Sequence, residues 1–471
     1  MRRLCLLTVW ALLNGYCFGN QPPNVVVILA DDLGWADTGC YGADLIETPH
    51  IDELATRSVR FSQAYAPAPV CSPTRAAILT GKAPARLQMT IWSEGSLSGP
   101  KNRKLLQGAS RHDLPLSEVT LAEHFQKAGY QTALVGKWHL GDAAHAPETQ
   151  GFNINIGGTH WGAPATFFFP YRGARSDGEV RYIPHLEFGS DGEYLTDRLT
   201  QEAIRIIDHS ATHRQPFFLM LAHHAPHTPI EAKAEDVEYF RRKLRPEFHH
   251  QHPVYAAMIR SLDQSVGRIS SRLTELGLSQ NTVFIFTSDN GGYIGSTKFE
   301  GKEIPITSNV PLRFGKGTCY EGGLRVPLLI HWPQSAGELV CDEPVLLTDL
   351  FPTLLSVLPG SSITDDGDGM SLTPLLKNPT GHLSREKLCF HYPHYYHAPP
   401  STPVSAIRMG DWKLLEFYED ENIELYDLKD DPGEGRNIAA ENPGEVQRLR
   451  MNLTKWLAET NAALPTRNSD H

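Results

Sequence analysis

The sequence predicts an α/β protein with a large, mostly parallel sheet sandwiched by helices and a small antiparallel C-terminal subdomain. Two observations predict the large sheet: buried-strand patterns alternate with helical segments from residue 24 to about residue 358, and polar residues directly follow several of those strands. A third observation predicts the subdomain, because short strands separated by turns begin near Thr373. We therefore expect an α/β domain over residues 20–372 and the subdomain over residues 373–471.

The amino terminus has the features of a secretory signal over residues 1–19. Two arginines precede the apolar run from Leu4 to Leu13, and the small residue Gly19 offers a cleavage position. The run is too short to span a bilayer, and no other stretch is apolar for long enough, so no transmembrane anchor is expected. These features predict a secreted or periplasmic protein, or a lysosome-like location in a eukaryote.

The composition indicates a folded, acidic protein. Apolar residues make up 41% and charged residues 21% of the chain, which are ordinary globular values and predict a full hydrophobic core. The formal net charge of −11 argues against nucleic acid or an anionic membrane as partner. Five cysteines lie beyond the leader, and sequence does not give their pairing: Cys40, Cys71, Cys319, Cys341 and Cys389.

The first predicted strand, residues 24–30, is a β-branched apolar run typical of a strand buried on both faces. It ends in Asp31 and Asp32. Two adjacent carboxylates at the end of a buried strand are costly unless a positive group lies between them. A hard divalent cation would supply that charge. The alternative is an aspartate N-cap in an exposed loop.

A short helix is predicted from Thr48, and a turn over residues 70–81 follows it. Ser72 is a good N-cap, and Pro73 suits the first helical position. Cys71 would then lie at a helix N-terminus, where free N–H groups favour an anion, and Arg75 could point at the same anion. The alternative is a buried structural cysteine beside a capped helix.

The next helix is predicted over residues 117–127, and a strand over residues 131–135 leads into Lys137 and His139. In a strand-like segment these two side chains point to the same side. Alone, either could be an ordinary loop residue.

Residues 151–194 are rich in glycine, proline and aromatic side chains, which predicts long loops that could wall a cleft. His160 is a candidate substrate contact in these loops.

A helix over residues 197–210 and a strand over residues 216–221 precede a histidine-rich loop that contains His227. The segment 249–252 has three histidines, and we interpret it as a solvated surface loop rather than a metal site. A long amphipathic helix follows over residues 255–276.

The buried strand over residues 282–287 is followed by Asp289 and Asn290, which could form the second half of a metal site. Asp31, Lys137, His227 and Asp289 each follow a different predicted strand. In open α/β sheets, sites form outside the carboxyl ends of the strands. These side chains are therefore expected to converge on one cleft.

The C-terminal region reads as short strands around residues 407–414 and 424–428, then a helix over residues 443–459. The aromatic segment 391–396 could face the cleft and influence the choice of substrate.

Two strings in the chain resemble the signatures of a known family. Cys71-Ser72-Pro73-Thr74-Arg75, followed by an apolar pair, a threonine and a glycine, resembles the first signature of the type I sulfatases of the alkaline phosphatase superfamily. Residues 129–139 resemble the second signature. Thr74 stands where serine is common in the family. The loop at residues 223–229 resembles the arylsulfatase and galactosamine-sulfatase branch.

The resemblance implies that a formylglycine-generating enzyme oxidises Cys71 to Cα-formylglycine, whose hydrated aldehyde is the nucleophile. It also implies a bound cation, and Ca²⁺ or Mg²⁺ is expected because the side-chain ligands offer oxygen. The implied metal ligands are Asp31, Asp32, modified Cys71, Asp289 and Asn290. The implied catalytic residues are Cys71, Arg75, Lys137, His139, His227 and Lys316, of which Arg75, Lys137, His227 and Lys316 would also bind substrate.

The expected reaction is hydrolysis of a sulfate monoester in a sulfated carbohydrate or an aryl sulfate. Three alternatives remain at this point. The nearest is a phosphodiesterase or phosphonate monoester hydrolase of the same superfamily, which would share the metal ligands. The second is a non-catalytic protein that binds sulfated glycans, and the third is a structural secreted protein.

Overall fold

The structure is a computed structural model that describes residues 22–97, 99–174, 178–333, 339–360, 367–397 and 400–471. The leader predicted over residues 1–19 lies outside these residues. The described helices are α1 (Pro49–Ala55), α2 (Cys71–Thr80), α3 (Pro84–Leu87), α4 (Ser93–Leu97), α5 (Leu121–Lys127), α6 (Leu195–His213), α7 (Ala234–Lys243), α8 (Pro253–Glu275), α9 (Glu321–Leu324), α10 (Leu350–Leu355), α11 (Thr373–Lys377) and α12 (Pro443–Glu459).

The strands of the first half of the chain are β1 (Asn24–Ala30), β2 (Val59–Tyr65), β3 (Leu105–Leu106), β4 (Gln131–Gly136), β5 (Ile154–Ile156), β6 (Gly173–Ala174), β7 (Val180–Arg181) and β8 (Phe217–Ala222). Those of the second half are β9 (Thr282–Ser288), β10 (Ser296–Phe299), β11 (Lys302–Pro305), β12 (Arg325–His331), β13 (Leu339–Cys341), β14 (Val345–Leu346), β15 (Leu388–Tyr392), β16 (Tyr396–His397), β17 (Pro400–Ser401), β18 (Val404–Met409), β19 (Trp412–Phe417), β20 (Ile423–Asp427) and β21 (Thr466–Arg467).

A nine-stranded sheet organises the molecule. Its strand order is β13-β2-β12-β9-β1-β8-β4-β5, with β14 also paired to β2. Among the strands described for this sheet, only β12 runs against its neighbours; the others are parallel. The predicted large, mostly parallel sheet is therefore confirmed.

Helices cover both faces of this sheet. In β1, Val26 and Ile28 belong to a core with α1, α6 and α8, whereas Val25 and Val27 belong to a second core with α2, α5 and α10. All seven residues of β1 are buried. Successive side chains of a strand point to opposite faces, so a strand buried on both sides has few polar positions; in β1 only the first residue, Asn24, is polar. The run of valines in β1 fits this pattern.

Several element boundaries differ from those that the sequence predicts. The helix predicted over residues 117–127 begins at Leu121, because the Thr120 hydroxyl accepts the N–H of Glu123 and the Glu123 carboxylate accepts the N–H of Thr120. Because this capping box fixes the first turn, the helix begins four residues later than the sequence predicts. The helix predicted over residues 197–210 is longer and spans Leu195–His213.

A four-stranded antiparallel sheet, in the order β15-β18-β19-β20, forms the C-terminal part of the fold. Helix α12 covers one face of it through Leu449 and Leu453. The other face packs on the segments around Tyr65 and Tyr320 of the large domain. Helix α11 packs in the core of the large sheet. The domain boundary at residue 373 stays a prediction.

The segment 249–252 is solvated only in part: His249 is exposed, as the sequence interpretation expects, but His250 and His252 are not. His250 is buried between Asp37, whose Oδ1 is 3.1 Å from Nε2, and Asp44, whose Oδ1 is 2.7 Å from Nδ1. His252 is also buried and caps α8. Both aspartates lie more than 200 residues away in sequence, so no local pattern could reveal them.

The five described cysteines are all free thiols, and four of them are buried. Among the described helices, none is long and apolar enough to cross a membrane.

Buried neutral histidines predict a loss of stability in acid. The His223 side chain is fully buried and its Nε2 lies 2.9 Å from the Ser265 hydroxyl. Burial lowers the pKa of His223 from 6.5 to about 3. Below pH 6.5 the unfolded chain therefore binds a proton at His223 that the folded chain does not. The contribution of the neutral His223 to the free energy of unfolding is complete above pH 6.5 and decreases as the pH falls towards 3.

We expect His223→Gln to weaken the acid sensitivity of folding. Glutamine cannot gain the proton, so the drop in unfolding free energy between pH 7 and pH 5 should be smaller than in the parent by about 2 kcal/mol. Denaturant titrations at the two pH values measure it. An equal drop in both proteins would contradict the assignment of His223 as buried and neutral.

Candidate active site

Six loops deliver side chains to one edge of the large sheet. The segments after β1, β2, β4, β8 and β9 open at the same edge because these strands point the same way. The segment before the reversed strand β12 reaches that edge too. The residues placed there are Asp31, Asp32, Cys71, Arg75, Lys137, His139, His227, Asp289, Asn290 and Lys316.

Cys71 is the first residue of α2, and the residue before it, Val70, has an extended N-cap conformation. Ser72 is therefore not the N-cap that the sequence suggested. Its hydroxyl instead donates to the backbone carbonyl of His139 at 2.7 Å, which ties α2 to the loop after β4. Burial raises the pKa of the Cys71 thiol to about 12. An unmodified Cys71 would be protonated near pH 7 and a weak nucleophile.

Three buried ion pairs surround Cys71. Lys137 Nζ lies 2.7 Å from Asp31 Oδ2, Arg75 Nε lies 2.8 Å from Asp289 Oδ2, and Lys316 Nζ lies 2.6 Å from Asp32 Oδ1. Lys316 Nζ is also 3.4 Å from the Cys71 Sγ. The charges of the six groups balance, so a divalent cation among them would leave the site positive. A positive site suits an anionic substrate.

The pKa values in this cluster follow the balance between burial and charge. Burial alone would raise the pKa of Asp32, but Lys316, His227 and Lys137 lower it to about 2. Burial and the neighbouring Asp31 raise the pKa of Asp289, against the effect of Arg75. Asp32 is also held in a left-handed backbone conformation, φ 67°. Strain of this kind is common at functional sites.

Two buried oxygen atoms at this edge lack a hydrogen-bond partner: Asp31 Oδ1 and Asn290 Oδ1. Unsatisfied buried acceptors are costly, and a cation would satisfy them. Donor atoms of Asp31, Asp32, Cys71 and His227 lie within 4.8 Å of one another, so together they could hold a metal ion. Asp289 is adjacent, since its Oδ1 accepts the Asp32 N–H at 3.3 Å. The residues present thus fit a hard divalent cation.

Arg75 retains one donor for an anion. Its Nε pairs with Asp289 and its Nη1 donates to the carbonyl of Lys137 at 3.0 Å. Its buried Nη2 has no partner. Because a guanidinium donates in a fixed fork, the remaining N–H groups can hold an oxyanion oxygen.

His139 contacts a residue that sequence reasoning missed. Its Nε2 lies 3.4 Å from the Glu94 carboxylate, and its Nδ1 is buried without a partner. Since a carboxylate only accepts, Nε2 carries the proton and Nδ1 is the free base. Burial, and next the charge of Lys137, lowers the pKa of His139 to about 3, so the ring is neutral at neutral pH.

The tautomer of His227 follows from its hydrogen bond to the backbone. Its Nδ1 lies 2.9 Å from the carbonyl of Thr228, which can only accept, so Nδ1 carries the proton. Nε2 then presents a lone pair 3.5 Å from Asp32 Oδ2. Burial lowers the pKa of His227 to about 3, although Asp32 opposes this change.

A cavity of about 490 Å³ opens above these groups. Asp32, Cys71, His139, His227 and Lys316 lie at its base. Its walls are formed by Trp92, Glu94, Gly162, Ala163, Glu179, Arg181, Thr228, Tyr293, Tyr396 and His397. A larger groove of about 800 Å³ lies beside α12, but the ionisable cluster described above is absent from its lining. The chemistry therefore assigns the smaller cavity as the candidate active site.

Some predicted site residues lie elsewhere. His160 is exposed, packs against Trp161 and is not among the residues that line the cavity. His223 and His224, which precede His227 in the same loop, are buried and do not line the cavity. In the aromatic segment 391–396, Tyr396 lines the cavity, whereas His391 is buried against Ser405.

Comparison with known proteins gives a consistent result. The family model described as Sulfatase matches residues 23–361, and the model described as N-sulphoglucosamine sulphohydrolase, C-terminal, matches residues 313–463. Human arylsulfatase A is 33% identical over 94% of this chain and 89% of its own. Rat N-acetylgalactosamine-6-sulfatase is 34% identical over 83% of this chain and 71% of its own.

Among solved structures, the crystal structure of Ps i-CgsB in complex with k-i-k-neocarrahexaose matches with a TM-score of 0.73. The two chains are 30% identical, and the match covers 93% of each.

Proposed function

The chain belongs to the sulfatase family, and on that premise we propose that it hydrolyses sulfate esters of a sulfated carbohydrate, and aryl sulfates, with formylglycine at residue 71 and bound Ca²⁺ or Mg²⁺. The observation that carries this proposal is the buried, charge-balanced cluster around the Cys71 Sγ, with its unpartnered oxygens and the free Nη2 of Arg75. The rat N-acetylgalactosamine-6-sulfatase supports a sulfated sugar as substrate, and the complex of Ps i-CgsB with k-i-k-neocarrahexaose supports a carbohydrate.

The proposed groups supply chemistry that no unmodified side chain here offers. A cation held by Asp31, Asp32, Asp289, Asn290 and modified residue 71 would supply positive charge that lowers the pKa of a coordinated hydroxyl. A formylglycine hydrate would supply an oxygen nucleophile and a second hydroxyl for the later release of sulfate.

Three side chains bind the sulfate group in this account. Arg75 offers Nη2, and Lys137 and Lys316 place their ammonium groups beside the carboxylates at the base of the cavity. Their positive charges neutralise oxygens that gain charge during transfer of the sulfuryl group. Because the site is buried, these charges act in a low-dielectric environment, where their attraction to the sulfate oxygens is stronger than in water.

Lys316 and His227 serve the leaving alcohol. Burial lowers the pKa of Lys316, but the charge of Asp32 raises it well above its ordinary value, so the ammonium is protonated at neutral pH. Lys316 can therefore donate a proton, or a hydrogen bond, to the leaving oxygen directly. His227 carries its proton on Nδ1, so Nε2 must gain a proton before it can give one to the leaving alcohol.

His139 acts as the base that takes a proton from residue 71 when sulfate is released. Its Nδ1 is the free base of a neutral ring. Glu94 fixes that tautomer because it accepts the proton on Nε2. Glu94 is thus a positioning residue for His139.

We expect Glu94→Gln to lower kcat by about ten- to a hundredfold, with a smaller change in KM. The glutamine amide can donate to Nε2 and so favour the wrong tautomer of His139. Steady-state kinetics with an aryl sulfate measure the effect, and the pH profile of kcat should shift as well. Glu94→Asp, which keeps the charge, should recover part of the activity. An unchanged kcat in Glu94→Gln would contradict the positioning role.

The three rival functions differ from a sulfatase in measurable ways. A phosphodiesterase or phosphonate hydrolase of the same superfamily would prefer phosphorus esters, and a non-catalytic glycan binder or a structural protein would release no sulfate. Turnover of matched 4-nitrophenyl esters therefore decides between them. We expect the sulfate ester to be hydrolysed at least about tenfold faster than the phosphate ester, and a reversed order would contradict the proposal.

The predicted leader and the modified cysteine imply further partners and a location. We propose that a formylglycine-generating enzyme acts on Cys71 during maturation. We also propose that the protein is secreted or periplasmic, or lies in a lysosome-like compartment of a eukaryote. The mass of the mature amino terminus tests the location, because cleavage after Gly19 is expected.

A further inference from the structure

A buried lysine of the C-terminal sheet lies between two carboxylates. Lys413, in β19, is fully buried, and its Nζ lies 2.9 Å from Glu321 Oε1 and 2.8 Å from Glu434 Oε1. Burial alone would lower the pKa of Lys413, but Glu321 and Glu434 raise it above its ordinary value, so the ammonium is charged at neutral pH. Because desolvation offsets the attraction in a buried ion pair, such a cluster adds little net stability and points to another role.

Glu321 joins this cluster to two segments of the active site. It is the first residue of α9 and directly follows residues 313–320, which we call the Lys316 loop. Its Oε2 accepts a hydrogen bond from the Tyr65 hydroxyl at 2.7 Å, and its backbone N–H donates to Glu434 Oε2 at 2.7 Å. Tyr65 is the last residue of β2, from which the chain runs on to Cys71. The carboxylate that pairs with the buried lysine is therefore joined to both segments.

The Lys316 loop is also attached to the C-terminal sheet at its other end. Arg313 Nη1 donates to the backbone carbonyl of Glu434 at 2.8 Å and to the Tyr426 hydroxyl at 2.9 Å. The middle of the loop contacts the segment before Cys71, because the N–H of Gly317 donates to the carbonyl of Pro69 at 2.8 Å. The C-terminal sheet thus holds the two ends of the loop, and the middle lies at the base of the cavity.

The position of Lys316 determines how well it serves the leaving alcohol. Its Nζ lies 2.6 Å from Asp32 Oδ1 and 3.4 Å from the Cys71 Sγ. A proton donor must lie within hydrogen-bond reach of the oxygen that it protonates, and a shift of about 1 Å can lower the rate on the order of 10²-fold. Contacts that fix the ends of the loop therefore affect the reaction without touching the substrate.

We propose that Lys413 is a positioning residue for catalysis: through Glu321 it holds the Lys316 loop so that Lys316 reaches the leaving oxygen. This inference rests on the proposed sulfatase function. It gives the C-terminal sheet a part in the reaction, although Lys413 does not itself line the cavity.

The test compares kcat/KM for phenyl sulfate and 4-nitrophenyl sulfate. Phenolate is the more basic leaving group, so its departure depends more strongly on a proton from Lys316. We expect Lys413→Met to lower kcat/KM by about thirtyfold for phenyl sulfate but only about threefold for 4-nitrophenyl sulfate. The ratio of the two values then changes by about tenfold. Loss of folded protein alone would lower both values equally and leave their ratio unchanged.

Two features keep this test independent of folding. Burial raises the pKa of Glu434 to about 7, so Glu434 can hold a proton when the lysine is removed, and we expect Lys413→Met to fold. Glu321→Gln is the second variant, because glutamine keeps the size of the side chain and an oxygen acceptor for Tyr65. It weakens the attraction to Lys413, so the same ratio should change by about threefold.

Arg385→Met is the matched control. Arg385 Nη1 donates to the buried Asp349 Oδ2 at 2.7 Å and also joins the C-terminal region to the large sheet, but both residues lie outside the cavity. The ratio should stay at the parent value in this variant, even if its melting temperature falls.

The outcomes separate the two proposals. An unchanged ratio in Lys413→Met and Glu321→Gln, or an equal change in Arg385→Met, would overturn the positioning role, while turnover of both esters upheld the proposed function. Failure of the parent protein to release sulfate from either ester would overturn the proposed function, and the inference with it.

Discussion

Cys71→Ala is expected to lose essentially all turnover of an aryl sulfate, by at least about 10³-fold, while the protein stays folded. Residue 71 is the proposed nucleophile, and alanine offers no group that could replace it. The side chain at residue 71 is buried but small, so its replacement by alanine costs folding about 1 kcal/mol. Sulfate release and thermal unfolding should be measured on the same preparation.

Two results separate this expectation from simple misfolding. The melting temperature of Cys71→Ala should lie within about 2 °C of the parent value, because little packing is lost. Cys341→Ala is the control: Cys341 is also buried, but it lies in β13 outside the cavity, so turnover should remain near the parent rate. Turnover at the parent rate by Cys71→Ala would exclude residue 71 as the nucleophile.

Removal of divalent cations is the second large effect that we expect. Exhaustive chelation should lower turnover on the order of 10³-fold, because the cation supplies several kcal/mol of charge stabilisation. The fold should persist, since three pairs of opposite charge already compensate one another: Asp31 with Lys137, Asp32 with Lys316, and Asp289 with Arg75. Turnover should return with Ca²⁺ or Mg²⁺, which prefer oxygen ligands.

Substitution of one proposed ligand should weaken the binding of the cation. Asp31→Asn keeps the shape of the side chain but removes one charge, so it should raise the cation concentration needed for half-maximal turnover by at least about tenfold. Asp208→Asn is the control, because it loses only a partly exposed ion pair with Arg272 outside the cavity. It should leave the cation concentration for half-maximal turnover unchanged. Full turnover after exhaustive chelation would contradict the metal site, and recovery with Zn²⁺ alone would contradict the oxygen-donor argument.

The large sheet could be predicted because its central strands are short, continuous apolar runs. The predicted strands at residues 24–30 and 131–135 match β1 and β4 to within one residue. The convergence of Asp31, Lys137 and Asp289 followed from chain direction alone, since parallel strands end at the same edge. Chain direction thus predicts the site residues that follow strand ends, whereas Cys71, Arg75 and Lys316 are expected from the resemblance of their motifs to the family.

Contacts between distant loops could not be predicted. Glu94 lies in a polar segment without a clear pattern, and its partners His139 and Arg181 are 45 and 87 residues away. The same limit explains the error at His250, whose aspartate partners come from the first fifty residues. The local sequence favours Ser72 as an N-cap, but its hydroxyl instead makes a tertiary contact with the backbone carbonyl of His139.

The most direct test of the central claim is the mass of the proteolytic peptide that contains residue 71, taken from fully active enzyme. We expect formylglycine at that position: the peptide has lost the cysteine sulfur and its aldehyde reacts with a hydrazide probe. A peptide that carries only unmodified Cys71 in material with full activity would contradict it.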